Sequence, residues 1–180
     1  MRRKSILIMA IVLAVPLLVK AQGMYLGPQL GWNKAADADN AKLFAGGAFR
    51  MGLSPSISVE GSIDYRQEEY GSGSAKVTSW PVMVTGLFFP IPIVYGAVGL
   101  GWYNTSITYS QELHNLGIMD QTEQKVGWHF GAGVEIPFGS SILTADIRYV
   151  FLNYDFQTLP GSPGTKSDFV MITAGWLFSL

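Results

Sequence analysis

Residues 126–154 read VGWHFGAGVEIPFGSSILTADIRYVFLNY, and they alternate with a period of two. Val126, Trp128, Phe130, Ala132, Val134 and Ile136 are apolar, whereas Gly127, His129, Gly131, Gly133 and Glu135 between them are small or polar. Beyond a turn at 138–141, Leu143, Ala145, Ile147, Tyr149 and Phe151 continue the apolar set against Thr144, Asp146 and Arg148. Successive side chains of a strand point to opposite faces, so this period gives each strand one apolar and one polar face. A soluble sandwich would bury the apolar face under a second layer. A membrane barrel turns it to lipid and encloses Glu135, Asp146 and Arg148 in its lumen.

The rest of the chain decides between the two. Alternating or strand-like stretches are predicted at 24–33, 42–53, 57–66, 76–89, 93–109 and 168–180, which with the pair above makes eight strands. In the second, Leu43, Ala45, Gly47, Phe49, Met51 and Leu53 alternate with Gly46, Ala48, Arg50 and Gly52. In the third, Ile57, Val59, Ile63 and Tyr65 oppose Ser58, Glu60, Ser62, Asp64 and Arg66. The connections after strands one, three, five and seven (34–41, 67–75, 110–123, 157–166) are long and polar. Those after two, four and six are tight turns at 54–56, 89–92 and 138–141. This long-short alternation predicts an all-β, antiparallel, up-and-down transmembrane barrel with long loops outside and short turns in the periplasm.

A helical membrane span is the competing reading of 77–111, where no charged residue occurs. Pro81, Pro90, Pro92, Gly86, Gly96, Gly99 and Gly101 interrupt it. A helix interior loses about 3 kcal/mol per Pro and about 1 per Gly, so a hairpin of lipid-facing strands is the better account. Trp32, Tyr65, Trp80, Trp102 and Trp128 fall near predicted strand ends, as do Phe88, Phe89, Phe138, Trp176 and Phe178. Two aromatic girdles at the membrane rims would need that placement.

The first residues, MRRKSILIMAIVLAVPLLVKAQ, join a basic start (Arg2, Arg3, Lys4) to an apolar run and a small-residue site at 19–21. They read as a signal peptide spanning 1–21, leaving 22–180 as one barrel domain for the bacterial outer membrane. Its removal takes Lys+Arg from 12 to 8 against 13 Asp+Glu, a net charge near −5 that argues against a nucleic-acid partner. With no cysteine, the exported domain is held by burial and backbone pairing alone.

Three stretches carry a family resemblance. AGGAFRMGLSPSISVEGSIDYRQEE resembles the second and third strands of PorT-like outer-membrane β-barrel domains. SWPVMVTGLFFPIPIVYGAVGLGW is similar to their fourth and fifth, and VGWHFGAGVEIPFGSSILTADIRYVF to the Gly-rich hairpin of the wider OmpX/OmpA-like barrels. The resemblance implies fold and compartment rather than activity. It implies lipid and the barrel-assembly machinery as partners. Members usually end on an aromatic residue, whereas this chain ends Trp176-Leu177-Phe178-Ser179-Leu180, an altered form of the expected insertion signal.

The alternation gathers Arg50, Glu60, Asp64, His129, Glu135, Asp146 and Arg148 in the lumen as a candidate charge network, with Tyr25 and Gln29 beside them. An eight-stranded barrel fills its interior with side chains, and buried charges must pair. Arg50 with Glu60 or Asp64, and Arg148 with carboxylates across the lumen, are the expected pairs. A sharper reading makes the network a gate whose arginines exchange partners to open a narrow path.

A lipid A-modifying enzyme would need a nucleophile and a base in hydrogen-bond reach. His114 beside Ser110 and Glu112 has no flanking motif to fix it, and no metal-ligand spacing or nucleotide fingerprint occurs. No catalytic residue, cofactor or metal is therefore assigned. Leu113, Leu116, Ile118 and Met119 are apolar for a loop and are candidates for docking a surface ligand or protein. The expected protein is a monomeric, non-catalytic barrel with a structural or surface-interaction role; the alternatives are a narrow or gated channel and a lipid-modifying enzyme.

Overall fold

A computed structural model describes residues 23–35, 41–70, 75–110, 119–154, 165–166 and 168–180. The chain runs through β1 (Met24–Ala35), β2 (Lys42–Ser54), β3 (Ile57–Tyr70), β4 (Ala75–Ser79), β5 (Val82–Ile91), β6 (Val94–Tyr109), β7 (Gln121–Phe138) and β8 (Ser141–Phe151). Two short strands, β9 (Asn153–Tyr154) and β10 (Thr165–Lys166), pair with each other before β11 (Phe169–Ser179). All barrel pairings are antiparallel: β1 with β2, β2 with β3, β3 and β6 each with both β4 and β5, β6 with β7, β7 with β8 and β8 with β11, and β1 pairs with β11 to close the ring.

β4 and β5 are one stave of the barrel. Both lie between β3 and β6, and Ser79 stands opposite Thr105 where Val82 stands opposite Trp102, so the register runs through the gap. Pro81 causes the gap because it has no N–H to give the ladder. The Trp80 amide still donates to Asn104 O, and Pro81 O still accepts from Asp64 N. Counted this way the barrel has the eight staves predicted, with the fourth interrupted.

Several boundaries differ from the sequence reading. β3 continues to Tyr70 and β4 opens at Ala75, so most of the predicted loop at 67–75 is paired strand. β7 likewise begins at Gln121, inside the predicted loop. Polar residues there keep the ladder because cross-strand backbone bonds do not depend on side-chain polarity. The second tight turn is Pro92–Ile93 rather than 89–92; β5 runs on to Ile91. All three tight turns have two residues, Pro55–Ser56, Pro92–Ile93 and Gly139–Ser140, and Gly139 supplies the positive φ (62°) that the last needs.

The outer face is apolar on every stave. Leu26, Leu30 and Trp32 on β1, Ile63 on β3, Val98 and Leu100 on β6, Phe130 on β7, Ile147 on β8 and Ile172 on β11 are all exposed. No soluble barrel leaves such a band in water; lipid covers it. Among the described residues no helix is long and apolar enough to cross a membrane. Trp32, Tyr65, Trp80, Trp102 and Trp128 lie outward toward the loop end, and Phe88, Phe138, Trp176 and Phe178 outward toward the turn end. Phe89 is the exception: it points inward and is 8% exposed.

The lumen is not uniformly polar, contrary to the expectation. Phe44, Met83, Tyr103, Val150, Leu152 and Met171 pack as an apolar layer near the loop end. Leu87, Phe89, Tyr95 and Ala97 form a second group toward the turn end, and Ala48, Ile142 and Leu177 a third. Polar side chains alone would leave voids or unpaired groups in so narrow a barrel; apolar volume fills what pairing does not require.

Candidate functional site

The strand register stacks the inward residues in order. Ile142, Thr144, Asp146, Arg148 and Val150 climb β8 from turn end to loop end, while Ser58, Glu60, Ser62 and Asp64 climb β3. Midway the two arginines meet a shared carboxylate. Arg50 Nη2 and Nε donate to Glu60 Oε2, and Arg148 Nη2 donates to Glu60 Oε1 at 2.7 Å. Arg50 Nη1 also reaches Glu135 Oε2 (2.6 Å), and Arg148 Nε and Nη2 grip the two oxygens of Asp146 (2.8 and 2.9 Å). Both arginines are 2% exposed. Charged pairs this buried hold only when nearly every donor and acceptor is used, and these come close.

Tyr95 ties the two halves together. Its hydroxyl donates to Asp146 Oδ2 (2.9 Å) and accepts from Arg50 Nη2 (3.3 Å), and the Arg50 guanidinium lies 4.9 Å from its ring centroid. The ring has room because Gly133 faces it across the β6–β7 ladder; a Cβ there would lie 2.5 Å from Tyr95 Cζ. Thr85 joins from β5: its hydroxyl takes a bond from Arg148 Nη1 (3.1 Å) and lies 2.9 Å from His129 Nε2.

All seven sequence-predicted residues point inward, and six are buried, with Glu135 partly exposed. Five of them, Arg50, Glu60, Glu135, Asp146 and Arg148, share one ion-paired cluster. His129 meets it only through Thr85. Asp64 does not pair with Arg50; its Oδ1 takes a 2.6 Å bond from Gln29 Nε2 instead. Arg50 finds Glu60, directly opposite it on β3, and Glu135 across the lumen, so Asp64 lies too far up β3 to compete. Ser62 Oγ, Asp64 Oδ2, His129 Nδ1 and Thr173 Oγ1 are buried without a protein partner among the described residues.

Tyr95 and Thr85 escape the sequence reading. Parity could have found them, since Thr85 alternates with Val84 and Tyr95 with Val94, both exposed to the outside. Below the cluster, a cavity of about 170 Å³ at the turn end is lined by Tyr25, Ser58, Phe89, Arg50 and Glu135, among others. His114, Glu112, Leu113, Leu116 and Ile118 lie outside the described residues; Met119 is described and 78% exposed. Among the described residues no group of three or more His, Cys, Asp or Glu could hold a metal ion.

Comparison with known proteins agrees with this architecture. Among curated proteins none matches the sequence significantly. The fold is similar to that of a major outer membrane protein from Thermus thermophilus (TM-score 0.62, 14% identity, covering 88% of this chain and 100% of that one). Neisserial surface protein A is also similar (TM-score 0.60, 16% identity, 89% and 99%). So is Ail, the attachment invasion locus protein of Yersinia pestis, solved with the heparin analogue sucrose octasulfate (TM-score 0.53, 15% identity, 88% and 97%). At these identities the likeness is one of fold. The sequence itself matches the outer membrane protein beta-barrel domain over residues 5–178, nearly its whole length, and the chain belongs to that family of the bacterial outer membrane.

Proposed function

We propose that this protein is a closed, non-catalytic barrel that acts through the surface it presents outside the cell, after residues 1–21 are removed as a signal peptide. The observation that carries this reading is the filled lumen. The Arg50–Glu60–Arg148 cluster crosses the interior, and the layer of Phe44, Met83, Tyr103, Val150, Leu152 and Met171 lies above it. Side chains packed in two successive layers support a lumen without a continuous water path. Catalysis has little support: His129 is fully buried beneath the apolar layer, away from any lipid substrate. Insertion by the assembly machinery and a monomeric state belong to the same proposal.

A gated channel is the second reading, favoured by one feature. Each arginine already holds two carboxylates, and the turn-end cavity reaches the Arg50–Glu135 pair, so a shift of partners would lengthen that cavity inward. Single-channel recording of the purified protein in planar bilayers separates the two. The closed reading expects no steady conductance. Steady conductance in the wild type, lost in Arg50→Glu or Arg148→Glu, would overturn it in favour of the channel.

A further inference from the structure

The cavity at the turn end joins a charged inner wall to aromatic sides. Its volume is about 170 Å³, room for a small organic molecule, since a cavity of about 150 Å³ admits benzene. Five staves supply its lining: Tyr25 from β1, Arg50 from β2, Ser58 from β3, Phe89 from β5 and Glu135 from β7. Pro55 and Pro92, on two of the tight turns, stand at its mouth. Both rings are held by packing of their own. Phe89 lies on Tyr95 with 5.3 Å between centroids, and Tyr25 packs on the group of Ala48, Ile142 and Leu177.

The charge at the inner wall is not balanced. In the ion-paired cluster three carboxylates, Glu60, Glu135 and Asp146, face two guanidinium groups. Glu60 and Asp146 each use both oxygens. Glu135 gives Arg50 only Oε2, and among the described residues no donor takes its Oε1. Glu135 is also the one member of the cluster that is partly exposed, so the excess negative charge falls at the cavity. Tyr25 and Phe89 set aromatic surface in the same space, against which a cation is favoured. An anion is not: Arg50 is 2% exposed and already donates to Glu60, Glu135 and Tyr95. A divalent metal ion needs several oxygen ligands, and one free carboxylate oxygen does not supply them.

We propose that this cavity binds a small primary alkylammonium ion from the periplasm, its charged head on Glu135 and its short apolar chain along Phe89, Pro55 and Pro92. The head donates a charge-assisted hydrogen bond to Oε1, the oxygen that Arg50 leaves open. Ser54, Pro55 and Pro92 at the mouth carry no charge, so a second charge on the ligand finds no partner there. The site therefore favours a monocation over a diamine or an amino acid. It stands whether or not the lumen conducts, because the ligand meets Glu135 at the near edge of the cluster.

The probe is n-butylammonium chloride, titrated onto isotope-labelled protein in phosphatidylcholine nanodiscs, which leave both faces open, and followed by NMR. Sodium chloride, n-butanol and sodium butyrate at equal concentrations are the controls. The proposal expects butylammonium to give saturable shifts at the Tyr25, Ser58 and Phe89 amides. It expects butanol and butyrate to bind at least about tenfold more weakly. Glu135→Gln keeps the shape and removes the charge; it should weaken butylammonium binding by at least about tenfold, with assembly checked by heat-modifiable gel migration. Phe89→Leu should weaken it by a smaller factor. Equal affinity for butanol would overturn the proposal in favour of an apolar crevice, and tighter binding of butyrate in favour of an anion site on Arg50. Shifts confined to lipid-facing amides such as Ile147 and Ile172 would mean partition into the bilayer and would overturn it too. So would unchanged butylammonium binding in Glu135→Gln. If that variant does not assemble, the comparison of the three ligands on the wild type decides by itself.

Discussion

Glu60 holds two guanidinium groups at once, and that sharing makes the cluster's residues interdependent. Removing Arg148 leaves Asp146 without its cation while Glu60 keeps Arg50; removing a partner from a buried pair costs about 3–5 kcal/mol. Arg148→Ala is therefore expected to lower the urea midpoint of the lipid-embedded barrel by an amount in that range. Arg50→Ala should cost less, because Glu135 is only partly buried and can turn to solvent. The double variant should lose more than the sum of the two, since only then is Glu60 without any cation. An additive double-mutant cycle would show that Glu60 does not couple them. Individual partners are only partly legible in the sequence. Alternation tells which face Arg50 occupies, and its short separation from Glu60 across one hairpin suggests that pair. It cannot bring Glu135, 85 residues away, to the other side of the same guanidinium.

At the scale of the strand, inside and outside are set by parity, and the parity of β7 and β8 is readable because neither strand is interrupted. Ile147 faces lipid and Asp146 faces the lumen, one residue apart. Ile147→Arg should cost about 2–4 kcal/mol or block assembly, as expected of a cation in the lipid-facing band. Folding yield into vesicles, followed by heat-modifiable migration, measures this; normal assembly of Ile147→Arg would reverse the assignment of faces. The lumen answers to volume rather than polarity. Gly133→Leu, although apolar, should destabilise the barrel because its Cβ meets Tyr95 Cζ and Asp146 Cβ, and displacing Tyr95 breaks its bond to Asp146. The faces of β5 and β6 are harder to read. Their sequences are largely apolar on both faces, so parity has only isolated marks of the inside, Thr85 on β5 and Tyr95 on β6. For that reason the sequence alone puts Phe89 in the girdle and leaves the inward Met83, Leu87 and Tyr95 unassigned. Pro81 adds a break in pairing that no change of register accompanies.

At the scale of the molecule, strand number fixes the width of the barrel, so opening the lumen means removing or moving what fills it. Two different layers do the filling. The ion-paired layer resists opening through charge pairing, and the apolar layer above it through packing and exclusion of water. Breaking one should leave the other as a seal. Arg148→Ala keeps Phe44, Met83 and Met171 in place, and the pair Phe44→Ala with Met171→Ala keeps both arginines. Each is expected to be as silent as the wild type in planar-bilayer recording. The combined variant, Phe44→Ala, Met171→Ala and Arg148→Ala, removes side chains from both layers and should show small, steady single-channel currents, well short of a porin's. Its stability is the cost: truncating a buried Phe removes about 3–5 kcal/mol, so recordings belong with a check of heat-modifiable migration. Conductance from Arg148→Ala alone would mean that the apolar layer does not seal, and that the charged cluster is the whole barrier. A correctly assembled triple variant that stayed silent would place the seal elsewhere, among the groups around Leu87 and Ile142 at the turn end.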